Sequence, residues 1–437
     1  MLEKLFKLKA NGTNVKTELI AGIITFLTMS YVLVVNPNIL GETGMDKPAL
    51  FTATALATIL GTLFMAFLAN LPIAQAPGMG LNSFFAFSVV LGLGYSWQMA
   101  LTAVFIEGII FIILTLFNVR ELIVKAIPQT IKEAIPVGIG LFITLIGLKN
   151  AGIVVADKNT FVALGDLAAP QVWVALIGLI VTAVLYVKKV YGSFFIGIGV
   201  ATVSAILFGL VHFPEGGVFS MPPDISPILF QFDFEHIFSL NMLVVVFTFL
   251  FVNLFDTIGT LIGVASKAGL IDKNGHFPQI KRALLADALG TTFGAVVGTS
   301  TVTSYVESAS GVAAGGRTGL TSVSTALMFL IALFLAPLFL MVPAAATAPA
   351  LIIVGLFMVS SVVNLNFGDM SESLPAFLTM VLMPFTFSIA HGIVFGMIAY
   401  VLLKFLAGKF NQISITMWVI FSLLLLKLVL EGLHVLK

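Results

Sequence analysis

The sequence predicts an all-α polytopic membrane protein with fourteen transmembrane helices in two sets of seven. The first observation is composition. Of the 437 residues, 59% are hydrophobic and 9% are charged, whereas a soluble domain carries about 25% charged residues. The second is that the stretches 48–106 and 318–368 contain no charged residue. The third is that apolar segments long enough to cross a bilayer recur in two series.

The first series predicts seven helices before a polar, acidic stretch from Pro214 to His236. Its segments are 17–37, 49–70, 73–94, 97–118, 132–149, 170–187 and 193–212. The second series predicts seven more, at 239–266, 280–297, 299–316, 319–342, 346–363, 373–388 and 390–408. A last apolar segment, 413–435, contains Lys427 and Glu431, so it either spans the membrane or lies at its interface.

Seven spans in each half indicate an inverted repeat. An odd number of spans forces the two halves into opposite membrane orientations, as in secondary transporters. Weak likeness between 135–144 and 348–357 supports a repeat. With a cytoplasmic N-terminus, most of the 21 Lys and Arg residues fall on the cytoplasmic side, as the positive-inside rule requires. We therefore expect a cytoplasmic N-terminus.

The N-terminal segment 1–16 predicts a short interfacial helix. Lys4, Lys7 and Lys9 alternate there with Leu and Phe, a pattern that suits the surface of a membrane. The segment lacks the apolar region of a cleaved signal peptide.

Several classes of function find no support in the sequence. A net charge of +1 gives no electrostatic reason to expect a nucleic-acid partner. Cysteine is absent and the five histidines are scattered, so we expect no metal site. No phosphate-binding loop or nucleophile set is readable, so we expect neither an enzyme nor a cofactor.

Two segments interrupt the apolar pattern, Pro72–Phe85 in the first half and Gly298–Gly316 in the second. Both are rich in Gly, Pro or hydroxyl residues. Such residues break the helical hydrogen-bond ladder, and the freed backbone groups are tolerated at membrane depth only against protein or a water-filled cavity. Paired interruptions in corresponding positions of two halves indicate a transporter's binding site.

Four carboxylates lie well inside predicted spans: Glu107, Asp256, Asp287 and Glu307. No Lys or Arg lies at comparable depth, and intramembrane acids are functional candidates by default. Burial without a cation favours the neutral form of a carboxylic acid. A group of this kind can exchange a proton, as proton-coupled transport requires.

Glu307 follows Tyr305 and Val306 inside the second interruption, among hydroxyl residues. The functional interpretation is a polar anchor for N–H groups of a heterocycle. The alternative is a carboxylate that only caps a half-helix, where the helix dipole favours negative charge.

Asn253, Asp256 and Thr260 are spaced to share one helical face, which predicts a polar stripe facing the bundle interior. Asp256 could bind substrate, carry a proton, or form an interhelical hydrogen-bond clasp. Glu107 is either a proton relay or a structural hydrogen-bond partner. For Asp287, near Arg282, a local electrostatic role is favoured.

Asn82, Ser83 and Phe84 close the first interruption. The Asn82 amide offers donors and an acceptor that suit the edge of a heterocyclic base. Phe84 could stack on a flat ring, although packing is the commoner role of such a Phe. Gly78 and Gly80 allow close backbone approach.

Three motifs resemble those of the purine-base permeases of the AzgA-like branch of the nucleobase–cation symporter-2 (xanthine/uracil permease) family. They are Ala76–Phe85, Phe255–Thr260 and Gly298–Ser308, and the likeness covers nearly the whole chain. The resemblance implies a fourteen-helix inverted repeat in which broken helices 3 and 10 carry short extended strands. It also implies proton-coupled import of hypoxanthine, guanine or adenine through an elevator mechanism in the cell membrane, with a homodimer as a possible assembly.

The resemblance also implies a division into two domains. A mobile core would comprise 17–131 (helices 1–4) and 238–343 (helices 8–11). A gate would comprise 132–237 (helices 5–7) and 344–410 (helices 12–14), followed by a C-terminal apolar segment, 411–437.

The family's two key acids correspond to Asp256 and Glu307, and its helix-3 asparagine corresponds to Asn82. Thr260 stands where the uracil branch has a histidine, which favours a purine. The expected proton-coupling residues are Asp256, Glu307 and Glu107. The expected substrate-binding residues are Asn82, Ser83, Phe84, Asp256, Thr260, Tyr305, Val306 and Glu307.

The alternative function is an anion exchanger or channel on the same scaffold. An anion site should want a cation near the half-helix N-termini. Arg317, at the cytoplasmic edge, is the nearby candidate.

Overall fold

The computed structural model describes residues 2–117, 128–214, 216–235, 239–271 and 277–432. In the first half, Asn14, Asp46 and Ser96 accept hydrogen bonds from first-turn amides and so set the starts of three helices. The helices are α1 (Leu2–Phe6), α2 (Val15–Met29), α3 (Val32–Gly41), α4 (Lys47–Phe64), α5 (Met79–Ser83), α6 (Trp97–Leu116), α7 (Gln129–Asn150), α8 (Pro170–Val187) and α9 (Ser193–Leu207). Met65–Ala69 and Phe84–Gly92 are π-helical.

In the second half, Ser239, Thr318, Asp369 and Ser388 cap helices in the same way. The helices are α10 (Leu240–Lys267), α11 (Ile280–Val297), α12 (Ser308–Ala313), α13 (Gly319–Leu333), α14 (Ala336–Leu340), α15 (Ala344–Val359), α16 (Met370–Phe385), α17 (Ile389–Leu406) and α18 (Ile415–Gly432).

The protein is a multi-pass α-helical membrane protein. Eight helical segments in the described part of the chain are long and apolar enough to cross a membrane, and five shorter helices are also apolar. Parts of the predicted segments 97–118 and 413–435, and of the polar stretch 214–236, lie outside the described residues, as does most of the stretch between α6 and α7.

The helices pack in two groups. The first contains α2–α6 and α10–α14, and the second contains α7–α9 and α15–α17. Small residues set the close crossings within each group. A Cβ on Gly355 would lie 2.1 Å from Thr144 Oγ1, and one on Gly22 would lie 2.3 Å from Ser324 Cβ.

Two short strands join the halves inside the first group. β1 (Gln75–Pro77) pairs antiparallel with β4 (Val302–Ser304), with Gln75 opposite Ser304 and Pro77 opposite Val302. Both strands fall within the two interruptions of the apolar pattern, and all six of their residues are buried.

The structure differs from the sequence-based assignments in four places. An antiparallel hairpin of β2 (Val154–Asp157) and β3 (Phe161–Leu164) follows α7, where we predicted no element. The first predicted helix is broken at Ser30–Tyr31, and the predicted helix 319–342 is broken at Phe334–Leu335. In the N-terminal segment, Phe6 and Leu8 are buried in a cluster with Leu320, so part of it packs on the protein itself.

Candidate functional site

A cavity of about 70 Å³ lies where the two interrupted segments meet α10 and α15. Two larger cavities, of about 610 and 300 Å³, are almost wholly apolar. The small cavity is where polar groups converge, so it is the candidate site. Its lining comprises Tyr31, Gly78, Met79, Gly80, Asp256, Thr260, Thr303, Ser304, Tyr305, Val306, Glu307, Val354 and Met358.

Hydroxyl groups from neighbouring helices satisfy the backbone of the extended pieces. Thr62 accepts from the Gln75 amide at 3.0 Å and donates to the Gln75 carbonyl at 3.1 Å. Thr291 donates to the Val302 carbonyl at 2.8 Å, and Ser322 donates to the Leu71 carbonyl at 2.7 Å. These hydrogen bonds satisfy main-chain amides and carbonyls that have no helical partner, as backbone inside a bilayer requires. The Thr and Ser residues therefore support the extended segments.

Glu307 lies at the N-cap of α12, but its side chain makes no capping hydrogen bond. Its Oε1 accepts from the Tyr31 hydroxyl at 2.6 Å, and the carboxylate lines the cavity. Glu307 therefore lies where the helix dipole favours negative charge but makes no capping hydrogen bond, and its role as a ligand anchor stays a prediction.

Asp256 and Thr260 lie one turn apart on α10 and both line the cavity. The Thr303 hydroxyl hydrogen-bonds to Asp256, and the Glu307 charge acts on it electrostatically. Two carboxylates from different helices thus face one cavity, and its lining contains no Lys or Arg. A neutral ligand with N–H donors suits such a lining better than an anion does.

Tyr305 and Val306 also line the cavity. The Tyr305 hydroxyl donates to the Pro77 carbonyl, so this side chain is fixed against β1. Val306 is 51% exposed and offers an apolar surface beside the acids.

Asn82, Ser83 and Phe84 are buried and lie outside the cavity lining. Asn82 Oδ1 accepts from the Ser300 hydroxyl, Ser83 donates to the Met79 carbonyl, and the Phe84 ring packs edge-on against Phe249. The first interruption instead lines the cavity with Gly78, Met79 and Gly80. Substrate contact by Asn82, Ser83 or Phe84 stays a prediction.

Glu107 belongs to a buried hydrogen-bond network rather than to the cavity lining. It accepts from Asn253 Nδ2 at 2.8 Å and from Thr301 Oγ1 at 2.7 Å. Asn253 therefore faces Glu107 instead of sharing the cavity with Asp256, since a helix presents neighbouring faces to different partners. The role of Glu107 in proton coupling stays a prediction.

Asp287 is fully buried and extends the same network. It accepts from Thr257 at 2.8 Å and from Gln75 Nε2 at 3.3 Å, so it joins α10 to the first interruption. The local electrostatic role favoured by the nearby Arg282 stays a prediction, since these contacts do not involve Arg282.

Arg317 does not line the cavity. Its guanidinium donates to the carbonyls of Val312 and Gly316, and its amide donates to Glu18. The Arg317 guanidinium, the candidate cation for an anion site, therefore binds these carbonyls and does not reach the cavity lining. The structure shows no group of three or more His, Asp or Glu suited to a metal among the described residues.

Sequence reasoning missed five residues of the cavity wall: Tyr31, Met79, Thr303, Val354 and Met358. Met79 lies in the first interruption, between the two glycines that were noted there. A signal existed for Thr303, which lies in the hydroxyl-rich interruption. Tyr31, Val354 and Met358 occur in apolar segments, where nothing in the sequence separates them from packing residues.

Comparison with known proteins gives a consistent result. A family model described as "Permease family", for xanthine/uracil permeases, matches residues 16–395. The chain is 46% identical to the adenine permease AdeQ of Escherichia coli, over 98% of this chain and 96% of that protein. It is 47% identical to the guanine/hypoxanthine permease PbuO of Bacillus subtilis, over 94% and 96%.

Among solved structures, the transmembrane domain of the cyanobacterial bicarbonate transporter BicA matches with a TM-score of 0.65 at 16% identity. The match covers 88% of this chain and 97% of that one. At this identity the likeness concerns the fold alone.

Proposed function

The chain belongs to the xanthine/uracil permease family, in its AzgA-like purine-base branch, and on this premise we propose that it imports purine nucleobases with protons. The observation that carries the proposal is that Asp256 and Glu307 line one cavity without a cation in its lining. Purine bases are neutral and flat and carry N–H donors, which carboxylates accept. The relatives include adenine and guanine/hypoxanthine permeases, so the proposed cargo is one or more of these bases.

In the proposed mechanism, Asp256 and Glu307 bind both the base and the proton. A proton on either acid removes one negative charge from a cavity that holds two, which lowers their repulsion. Glu107, one hydrogen bond from Asn253 on the same helix as Asp256, is the proposed further member of the proton path.

We propose that transport follows an elevator-type alternation between the two helix groups. The first group is the mobile core and the second is the gate, within a fourteen-helix inverted repeat whose third and tenth helices are broken by β1 and β4. The cavity supports this proposal because α15, from the second group, supplies Val354 and Met358 to its wall. At about 70 Å³ it is well below the 300–1,000 Å³ typical of ligand pockets, so it must enlarge to admit a base, and movement of the second group away from the first would enlarge it.

We propose a cytoplasmic N-terminus, a location in the cell membrane and a homodimer. The anion-exchanger alternative gains no support from the site, because its lining holds two acids and no cation.

The experiment is uptake of radiolabelled hypoxanthine, guanine and adenine by cells that lack their own purine carriers. We expect saturable uptake of at least one base, and loss of accumulation when a protonophore collapses the proton gradient. Uptake that is indifferent to the gradient removes the proton coupling. Absence of purine uptake, with anion currents from the purified protein in a planar bilayer, replaces the proposal by the anion alternative.

A further inference from the structure

Tyr31 occupies the break between α2 and α3, a position to which neither sequence pattern nor resemblance gave a role. Its side chain is 2% exposed. Its hydroxyl donates to Glu307 Oε1 at 2.6 Å, a length typical of a hydroxyl bound to a carboxylate. The bond joins residues 276 positions apart in the chain, so it exists only in the folded protein.

The Tyr31 ring has a second set of contacts, on the gate side. It packs on Phe194 of α9 at 5.4 Å between ring centroids, and Phe194 packs in turn on Phe357 of α15. The ring is also a wall of the apolar cavity of about 300 Å³. Tyr31 thus separates that apolar cavity from the polar one.

The hydroxyl restricts Glu307. A glutamate side chain has several rotatable bonds, and ordering such a side chain when a ligand binds costs free energy. A hydrogen bond that already holds Oε1 reduces that cost, and it leaves Oε2 as the acceptor for a ligand. A carboxylate can accept on both oxygens at once, so Tyr31 and a ligand need not compete.

We propose that Tyr31 is a positioning residue for base recognition: its hydroxyl fixes the Glu307 carboxylate so that Oε2 accepts from a purine N–H. The inference rests on the proposed function. It assigns the Tyr31 hydroxyl a role distinct from that of the ring, which packs between the two helix groups. The hydroxyl and the ring can therefore be tested separately.

The test compares Tyr31→Phe with the wild type in purine uptake, with saturation curves for the base and for its N-methylated analogues. Phe keeps the ring, its packing on Phe194 and the wall between the two cavities. We expect KM to rise about tenfold, the loss of one hydrogen bond to a charged group, with Vmax changed less than about twofold. We also expect weaker discrimination against the N-methyl analogues, because the Glu307 carboxylate is no longer held in one orientation. That ratio does not depend on the amount of folded protein.

The matched control is Tyr186→Phe. Tyr186 also packs on Phe194 but is 48% exposed and does not line the polar cavity, so this variant should behave as the wild type. A Tyr31→Phe transporter with wild-type KM, or with an unchanged discrimination ratio, overturns the inference whatever its Vmax. Failure of the wild type to take up any purine contradicts the proposed function instead.

Discussion

The Tyr305 hydroxyl donates a hydrogen bond to the Pro77 carbonyl, which ties the two interrupted segments together by a side chain. Backbone bonds do the same on both sides: the Tyr305 amide binds the Ala74 carbonyl, and the Gly78 amide binds the Thr301 carbonyl, each at 3.0 Å. The contributions of the two halves to the cavity are therefore fixed relative to each other.

The two acids of the cavity should be required for transport. Asp256→Asn and Glu307→Gln keep the size of each side chain but remove an acceptor and a proton-binding site. We expect each to lower the Vmax/KM of purine uptake by at least about tenfold, since a hydrogen bond to a charged group contributes about 1.5–3 kcal/mol. Glu42→Gln, at an exposed position, is the control. Full activity in both cavity variants would remove the site assignment.

Gly80 should tolerate no side chain. A Cβ there would lie 2.5 Å from Cγ2 of Ile139 on α7, and Ile139 is buried. Gly80→Ala should therefore push the two helix groups apart or distort the first interruption, at a cost of about 1–3 kcal/mol. We expect uptake to fall and the added Ile139→Ala to restore part of it. Gly263→Ala, where a Cβ meets nothing within 4 Å, controls for glycine replacement, and equal effects of the two alanines would contradict the steric explanation.

Thr62 should be needed for its hydroxyl and not for its shape. Thr62→Val leaves the buried amide and carbonyl of Gln75 without the partner that serves both. The expected destabilisation is about 2–4 kcal/mol, since an unsatisfied buried group costs about 1–3 kcal/mol. The readout is the melting temperature of the purified protein. Thr62→Ser, which keeps the hydroxyl, should melt close to the wild type. A Val variant as stable as the Ser variant would disprove the role.

Glu18 should act as a structural anion that caps α13. Although fully buried, it accepts from the amides of Arg317, Thr318 and Thr321 and from two Thr hydroxyls, at 2.7–3.2 Å. Glu18→Gln replaces one acceptor oxygen by a donor that faces other donors, so we expect a loss of about 2–4 kcal/mol. Melting temperatures should show a large drop here and none in Glu42→Gln, while KM in the remaining folded protein stays unchanged.

Asp369 gives a pH-dependent contribution to stability outside the spans. The hydrogen bond from Lys409, followed by those from Ser371, holds the pKa of this carboxyl well below its ordinary value. A depressed carboxyl pKa stabilises the folded state above the unfolded pKa of about 3.9, and that contribution is lost as pH falls toward the folded pKa. Asp369→Asn should thus melt below the wild type at neutral pH, and the gap should close as the pH falls below about 4. A gap independent of pH would contradict the assignment.

The sequence identified the acids of the site but not all of their partners. Asp256 and Glu307 were readable because a carboxylate without a cation in an apolar segment is costly and is seldom kept there without a function. The Asn253 stripe was assigned to the same face as Asp256, but helical spacing gives an angle and not the neighbour at that angle, and Asn253 faces Glu107. Tyr31 was missed because a tyrosine in an apolar helix resembles a packing residue until its hydroxyl is seen on Glu307.

Composition was enough to predict a helical membrane protein, but it did not predict the hairpin or the helix break. Hydropathy locates helices because each must cover its own polar backbone in lipid. It is insensitive to the hairpin at Val154–Leu164, whose residues are mostly exposed, and to the helix break at Ser30–Tyr31. The hairpin is a local pairing of mostly exposed residues, whereas the break at Ser30–Tyr31 lies at a contact with Glu307, far along the chain.

Thr62 and Thr291 bind the strand backbones, and Ser322 binds the backbone just before β1, each from a different helix. The residues that support the fold are therefore separate from those that line the cavity. Side chains at the cavity-facing ends of the strands can be exchanged without leaving a main-chain group unsatisfied. Substitutions that change which ligand the cavity accepts are therefore expected at positions other than those that destabilise the fold.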